Sequence, residues 1–359
     1  AFLLQKPGII SVLDPAGTLQ AAPFLDLSAE VNNDWDRGLL GVALHPGFLP
    51  DGGATSWVYL LYTVSPVPPN DNGFNQNNQY SFSRLTRYRA TTGAGGLVAD
   101  VASRQILLGH QNADGTVPDG IASIHNSHSN GSLRFADDGS LLLACGDGAH
   151  YDFQDNGGND NAGFDTFTHP VTGKKGPTPK VQDAGAFRAQ DLRSLSGKVL
   201  RIDPETGLGY PSNPFFDGDP ASLASRVWAL GLRNPFRMSL VPGTGAADPA
   251  VGAPNLVLVG DVGWNTWEEL NLVRTGGENF GWPCYEGNPA QGGYQTYNPA
   301  DPSKVDCFSP VSGTLTAPIL AWHHSNANAL KPTGIYVDGN GAPLPGFKGN
   351  CSIGGPIYT

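Results

Sequence analysis

Gly131-Ser132-Leu133-Arg134-Phe135-Ala136-Asp137-Asp138-Gly139-Ser140-Leu141-Leu142-Leu143-Ala144-Cys145-Gly146-Asp147-Gly148 reads as two strands joined at Asp138-Gly139. The first strand alternates apolar and polar side chains, and the Asp-Gly pair supplies the backbone freedom a tight hairpin requires. The second, Leu141 to Cys145, is apolar throughout, so Cys145 is expected to be a buried free thiol. Related strand–turn–strand units appear at Leu39 to Tyr62, Met238 to Asp261 and Gly334 to Tyr358, with starts roughly a hundred residues apart. Further strands are expected at Phe82 to Tyr88 and at Lys198 to Ile202. Small sheets recurring at a coarse period predict an all-β chain, a β-propeller.

A partial unit precedes these, with a strand at Ile9 to Leu13 after the Lys6-Pro7-Gly8 turn, so about five blades are visible. Both ends, Ala1-Phe2-Leu3-Leu4 and Ile353 to Thr359, stop inside a strand-like pattern. A propeller closes by pairing its last blade with its first, so the chain is expected to be trimmed at both ends, with a further blade outside it. The reading is a single, incomplete propeller domain over 1–359, with long Asn/Gly/Pro/Asp-rich insertions at about 150–190 and 284–317. Such loops gather on one face of a propeller, where ligands bind.

Composition agrees and excludes alternatives. Gly and Pro, 48 and 30 of 359 residues, leave few amphipathic helical windows, which argues against a doubly wound α/β sheet. The formal charge of −11 argues against a nucleic acid partner, whose phosphates call for a basic face. No apolar run reaches the roughly 18–20 residues of a membrane span. Four cysteines are present, none with zinc-ligand spacing. Cys284 and Cys307 flank a turn-rich segment, and a disulfide between them would stabilise the fold by roughly 3 kcal/mol. Such a bridge implies an oxidising compartment, extracellular or periplasmic.

Six segments in order carry a resemblance. They are Arg37-Gly38-Leu39-Leu40-Gly41-Val42-Ala43-Leu44-His45-Pro46, His128-Ser129-Asn130-Gly131-Ser132-Leu133, Ser196-Gly197-Lys198-Val199-Leu200-Arg201-Ile202-Asp203-Pro204, Leu230-Gly231-Leu232-Arg233-Asn234-Pro235, Gly260-Asp261-Val262-Gly263-Trp264 running to Trp267-Glu268-Glu269-Leu270-Asn271, and Asn279-Phe280-Gly281-Trp282-Pro283. Together they resemble the soluble sugar dehydrogenases that use pyrroloquinoline quinone (PQQ), the glucose/sorbosone dehydrogenase family. That family also includes non-catalytic extracellular propellers similar to hedgehog-interacting protein. The resemblance implies a six-bladed propeller and oxidation of the anomeric hydroxyl of aldoses, with hydride transfer to PQQ and onward transfer to an artificial or protein electron acceptor.

By the same resemblance His128 is the catalytic base, a role a neutral imidazole suits, and Arg233 stabilises the developing oxyanion. Arg233, Asn234 and Ser127 are placed against the cofactor. The backbone carbonyls of Gly263 and Trp264 are placed on a cofactor-site Ca²⁺, and Glu269 with the backbone of Phe280 on a structural Ca²⁺. Plainer readings stand beside these. His128 fits a polar turn histidine, Arg233 an inter-blade arginine bonded to carbonyls, and Glu268 and Glu269 turn caps paired with Arg274. The acidic loop from Asp147 to Asp160 fits a solvated insertion better than a further calcium site. Trp264, Trp267, Trp282, Tyr285 and Tyr294 fit sugar stacking, although Trp267 and Trp282 are expected in the core. Two other functions remain open: a propeller that binds glycan or protein without catalysis, and a Ca²⁺-dependent lactonase with several carboxylates converging on one ion.

Overall fold

The density of turn-forming residues cuts the chain into short strands, and these assemble into four sheets. The computed structural model describes residues 1–64, 81–93, 95–113, 116–157, 182–287, 289–297, 305–308, 312–331 and 345–355. The first sheet joins β1 (Phe2–Leu4), β2 (Ile9–Val12) and β3 (Leu25–Asp26). The second runs β4 (Leu39–Leu44), β5 (Trp57–Val64), β6 (Ser81–Gly93) and β7 (Gly96–Leu108), with β8 (Ile121–Ser123) also on β6. The third is built on β9 (Asn130–Phe135), β10 (Leu141–Cys145), β11 (Lys198–Ile202) and β12 (Val227–Leu230), and the fourth on β13 (Arg237–Leu240), β14 (Val257–Asp261) and β15 (Trp267–Val273). Later chain extends both: β16 (Glu278–Asn279) and β17 (Thr314–Leu315) lie parallel beyond β12, while β18 (Leu320–His323) and β19 (Leu330–Lys331) continue antiparallel from β15.

The hairpins expected at 39–62, 131–148 and 238–261 are β4–β5, β9–β10 and β13–β14. The unit expected from Gly334 to Tyr358 falls mostly outside the described residues, so four sheets are seen where the spacing suggested about five. Residues 158–181 of the first insertion, and parts of the second, also lie outside them.

Side-chain alternation fixes the order of the sheets. All eight residues of β5 are buried, because its two faces serve two cores. Trp57, Tyr59 and Leu61 pack with Leu133, Leu141 and Leu143 of the third sheet. Val58, Leu60, Tyr62 and Val64 pack with Ile10 and Val12 of the first. The same division recurs one sheet on. Leu141, Leu143 and Cys145 of β10 face the second sheet, and Leu142 and Ala144 face Met238, Val257 and Val259 of the fourth. A strand covered on both sides loses the polar half of its alternation, which is why Leu141 to Cys145 is apolar at every position. Each such Leu contributes about 1.5–3 kcal/mol by burial. The fold is therefore all-β, with successive sheets packed face to face in chain order, the stacking of propeller blades.

Cys284 and Cys307 form a disulfide with a Cα–Cα distance of 5.6 Å. Cys145 is a buried free thiol and Cys351 an exposed one. Burial raises the Cys145 thiol far above its usual range, leaving no reactive thiolate. Alkylation of the native protein is therefore expected to label Cys351 alone, with Cys145 reacting only after unfolding. Mass mapping without reduction should return the 284–307 bridge.

Candidate functional site

The hairpin that sets the fold also builds the site, at the end opposite its turn. The β9–β10 register pairs Asn130 with Cys145, with a bulge between Leu143 and Cys145. Two residues beyond each, His128 and Asp147 face one another. Gly146 N–H donates to the Ser129 carbonyl (2.7 Å), and Gly148 N–H to that of His128 (3.0 Å). A Cβ on Gly146 would lie 2.2 Å from the His128 carbonyl oxygen, so only glycine permits this approach. Below them Asn130 Nδ2 donates to Thr63 Oγ1 and Ser83 Oγ, and Ser129 bonds Thr63, fastening the strand to the second sheet. Asn130 is buried, so its Asn-Gly-Ser sequon is not displayed for glycosylation.

His128 Nδ1 lies 2.8 Å from Asp147 Oδ1, and the residue is 3% exposed. The other carboxylate oxygen accepts Trp282 Nε1 at 2.7 Å, and Oδ1 also accepts the Ala149 amide at 2.9 Å. Burial raises the Asp147 carboxyl, but His128, Arg233 and the Ala149 amide together hold it below its ordinary value. Burial, then the charge of Arg233, lowers His128 against the opposing pull of Asp147. The result is a neutral imidazole with its proton on Nδ1, donated to a carboxylate. Among the described residues nothing hydrogen-bonds Nε2, which keeps its lone pair. His128 also has a left-handed backbone, with φ of 50°, a strain that favours a functional reason. Asp36 Oδ2 holds it there by accepting its backbone N–H at 3.1 Å.

Arg233 reaches the same place from the end of β12. Its carbonyl accepts the Asp147 amide (2.8 Å), and Asp261 at the end of β14 accepts the amides of Arg233 and Asn234. The guanidinium lies over Trp282, 5.5 Å from the ring centroid. It donates to the carbonyls of Val262 (3.0 Å), Gly263 (2.6 Å) and Tyr151 (3.2 Å), while among the described residues its buried Nε has no partner. Ser127 Oγ donates to the Ala149 carbonyl and lies 2.9 Å from His125 Nδ1. Asn234 is half-buried at the rim. Arg37, Arg188 and Lys198, the other buried cations nearby, also donate to backbone carbonyls.

The residues assigned to calcium are differently placed. The Gly263 carbonyl already accepts a guanidinium N–H, and a cation there disfavours a second one. Trp264 donates its amide to Glu286 Oε1, as do Asn265, Thr266 and Trp267, at 2.9–3.1 Å. Glu269 accepts the Gly287 amide (2.5 Å) and Asn271 Nδ2 (3.0 Å), and Glu268 bonds His324 and the Gly263 amide. Neither pairs with Arg274, whose amide instead donates to Glu278. Phe280 is buried in the core with Trp228. Burial pushes Asp261 and Glu268 up to about 7, and Glu269 well above the carboxylate range. Each acid is satisfied by N–H donors, and among the described residues no group of three or more His, Cys, Asp or Glu is placed to hold a metal. The arrangement does not fit Ca²⁺. Arg233, with an N–H unpartnered among the described residues and beside the His128–Asp147 pair, does fit an anionic or quinone group.

Trp267 and Trp282 are buried as expected, as is Tyr294, while Trp264, edge to face against Trp282, and Tyr285 are half-buried. A cavity of about 520 Å³ opens at the turn end of the hairpin, by Arg134, Asp137 and Asn255, away from His128. Asp137 is engaged there by Asn255, so that cavity offers no comparable chemistry.

A propeller-type fold carrying a buried, carboxylate-oriented histidine beside an arginine defines a class of protein, and comparison supplies the family. Residues 175–356 match Glucose / Sorbosone dehydrogenase, and the chain belongs to that family. HIPL2 protein of Arabidopsis thaliana is 27% identical over 394 residues, covering 100% of this chain and 48% of its own length. Hedgehog-interacting protein of Mus musculus is 27% identical over 253 residues, 67% of this chain and 28% of its own. The chain thus spans less than half the length of either relative. A crystal structure of glucose dehydrogenase is similar in fold, with a TM-score of 0.53 and 20% identity over 89% of this chain and 68% of that one. Among the described residues no helix is long and apolar enough to cross a membrane.

Proposed function

We propose that residues 1–359 form one propeller domain of an extracellular or periplasmic dehydrogenase that oxidises the anomeric hydroxyl of aldoses with PQQ. The observation that carries this reading is the His128–Asp147–Trp282 arrangement. Because Nδ1–H is committed to Asp147, Nε2 is the basic atom, and it accepts the hydroxyl proton as hydride leaves the adjacent carbon. Asp147 then faces an imidazolium that its charge stabilises, and Trp282 keeps the carboxylate from rotating. Arg233 would offer fixed positive charge beside the quinone's reacting carbonyl, where negative charge develops. PQQ, when bound, supplies the quinone that takes the hydride, and Arg233 with Asn234 and Ser127 would lie against it. The disulfide supports an oxidising compartment.

A second reading, a non-catalytic binder of glycan or protein, is favoured by the engagement of Arg233 with three backbone carbonyls. One experiment separates them. PQQ titrated into the protein should quench tryptophan fluorescence saturably, and the loaded protein should bleach an electron-accepting dye when aldoses are added. Absence of PQQ binding, together with no turnover of any aldose, would leave the binder.

A further inference from the structure

Among the described residues two non-glycine positions have left-handed backbone: His128 and Trp35, the latter with φ of 48°. Trp35 is 55% exposed. An indole more than half exposed on a strained backbone gains little from core packing. Its neighbours tie it to the histidine loop. Asp34 Oδ2 accepts Asn126 Nδ2 (2.8 Å), Asp36 Oδ2 accepts the His128 amide (3.1 Å), and the Asp36 amide donates to the Asn126 carbonyl (3.0 Å). Asn126 is itself buried, and among the described residues its Oδ1 has no hydrogen-bond partner.

Trp35 stacks on Tyr151 (5.3 Å, 26°), Tyr151 on His150 (5.0 Å, 15°), and His150 on Phe153 (3.6 Å, 24°). His125, bonded to Ser127, packs beside His150 at 4.1 Å. The Tyr151 carbonyl holds Arg233. Of the four exposed aromatic residues described, Trp35, Tyr151, Phe153 and Phe308, three stand in this one column. Among the described residues Tyr151 is the one ring stacked on Trp35, whose surface stays 55% exposed. A rigid, exposed indole suits the C–H face of a pyranose ring, and the net charge of −11 favours an uncharged chain over a polyanion.

We propose that the Trp35–Tyr151 shelf binds a pyranose ring of an uncharged oligosaccharide or polysaccharide whose end reaches His128, so that the substrate class is a glycan chain rather than a free monosaccharide. The inference rests on the sugar-oxidising reading, but its test uses binding alone. Calorimetric titration of the protein without PQQ would compare one- to six-residue gluco-, xylo-, manno-, galacto- and chito-oligosaccharides. In at least one series affinity is expected to rise by about 10-fold or more with chain length, as one added ring contact allows. Trp35→Asn, which tolerates left-handed backbone, should keep the melting temperature and lose that rise; Val251→Ala, remote and exposed, should keep it. Affinity independent of length in every series, or a rise that survives Trp35→Asn, would overturn the shelf. Length-dependent binding without oxidation of any sugar would uphold the shelf and sink the dehydrogenase.

Discussion

Asp147→Asn is expected to lower the rate of aldose oxidation by about 10²- to 10⁴-fold, the range of a lost general base or a wrongly held tautomer. The replacement is isosteric, but its amide nitrogen must face either Trp282 Nε1 or His128 Nδ1, both donors in the native pair. The arrangement that spares Trp282 moves the imidazole proton to Nε2, where it blocks proton acceptance. In the unmodified protein burial and Arg233 hold His128 below the usual imidazole value, so the base is already unprotonated near neutrality. As pH falls through about 6.5, kcat/KM should therefore stay level, with its acid limb lower. A pH–rate series on both proteins checks this. An acid limb at or above the usual imidazole value, or an Asn variant of unchanged rate, would contradict the assignment.

Asp138→Ala is expected to destabilise the fold by about 3–5 kcal/mol, because it leaves a buried guanidinium uncompensated. Arg201 and Asp138 form an ion pair at 2.7 Å, with both side chains 0% exposed. The guanidinium also bonds Ser140, Ser212, Asn213 and the Pro249 carbonyl, and lies over Tyr210 and Trp228. Those partners are neutral, so they leave the charge in place when the carboxylate goes. Replacing both residues, Asp138→Leu with Arg201→Met, should recover much of the loss, since neither charge then stays buried. Urea unfolding of the two variants checks the difference. A single variant within about 1 kcal/mol of the native chain would mean that water reaches Arg201.

Strands were legible because their signal is local. Lys198 to Ile202 is observed as expected, and the Asp138-Gly139 hairpin and the 284–307 bridge follow from turn chemistry and spacing. The site was legible in part. His128 and Arg233 came from the family resemblance, and the structure brings both to Asp147. Asp147 itself was read as one acid in a solvated loop, yet the hairpin register contained the signal. Counting two residues outward from the strand ends on each side of the turn places it opposite His128. Trp282 was correctly expected in the core, but composition could not show that its Nε1 would anchor Asp147 from the far side of the third sheet. Nor could local pattern show that Arg233 would occupy the Gly263 carbonyl assigned to calcium. Such contacts depend on where the ends of β10, β12 and β14 converge, which no window of sequence records. Trp35 was missed because a lone tryptophan between two aspartates carries no periodicity; only its exposure and φ distinguish it.

The proton-accepting role of His128 is tested most directly by single-turnover mixing of the PQQ-loaded protein with an aldose, for the native chain and for His128→Ala. The native protein should reduce its quinone as sugar is added, and His128→Ala should do so about 10²- to 10⁴-fold more slowly while binding PQQ with the same affinity. Equal rates in the two proteins would show that His128 is not the base.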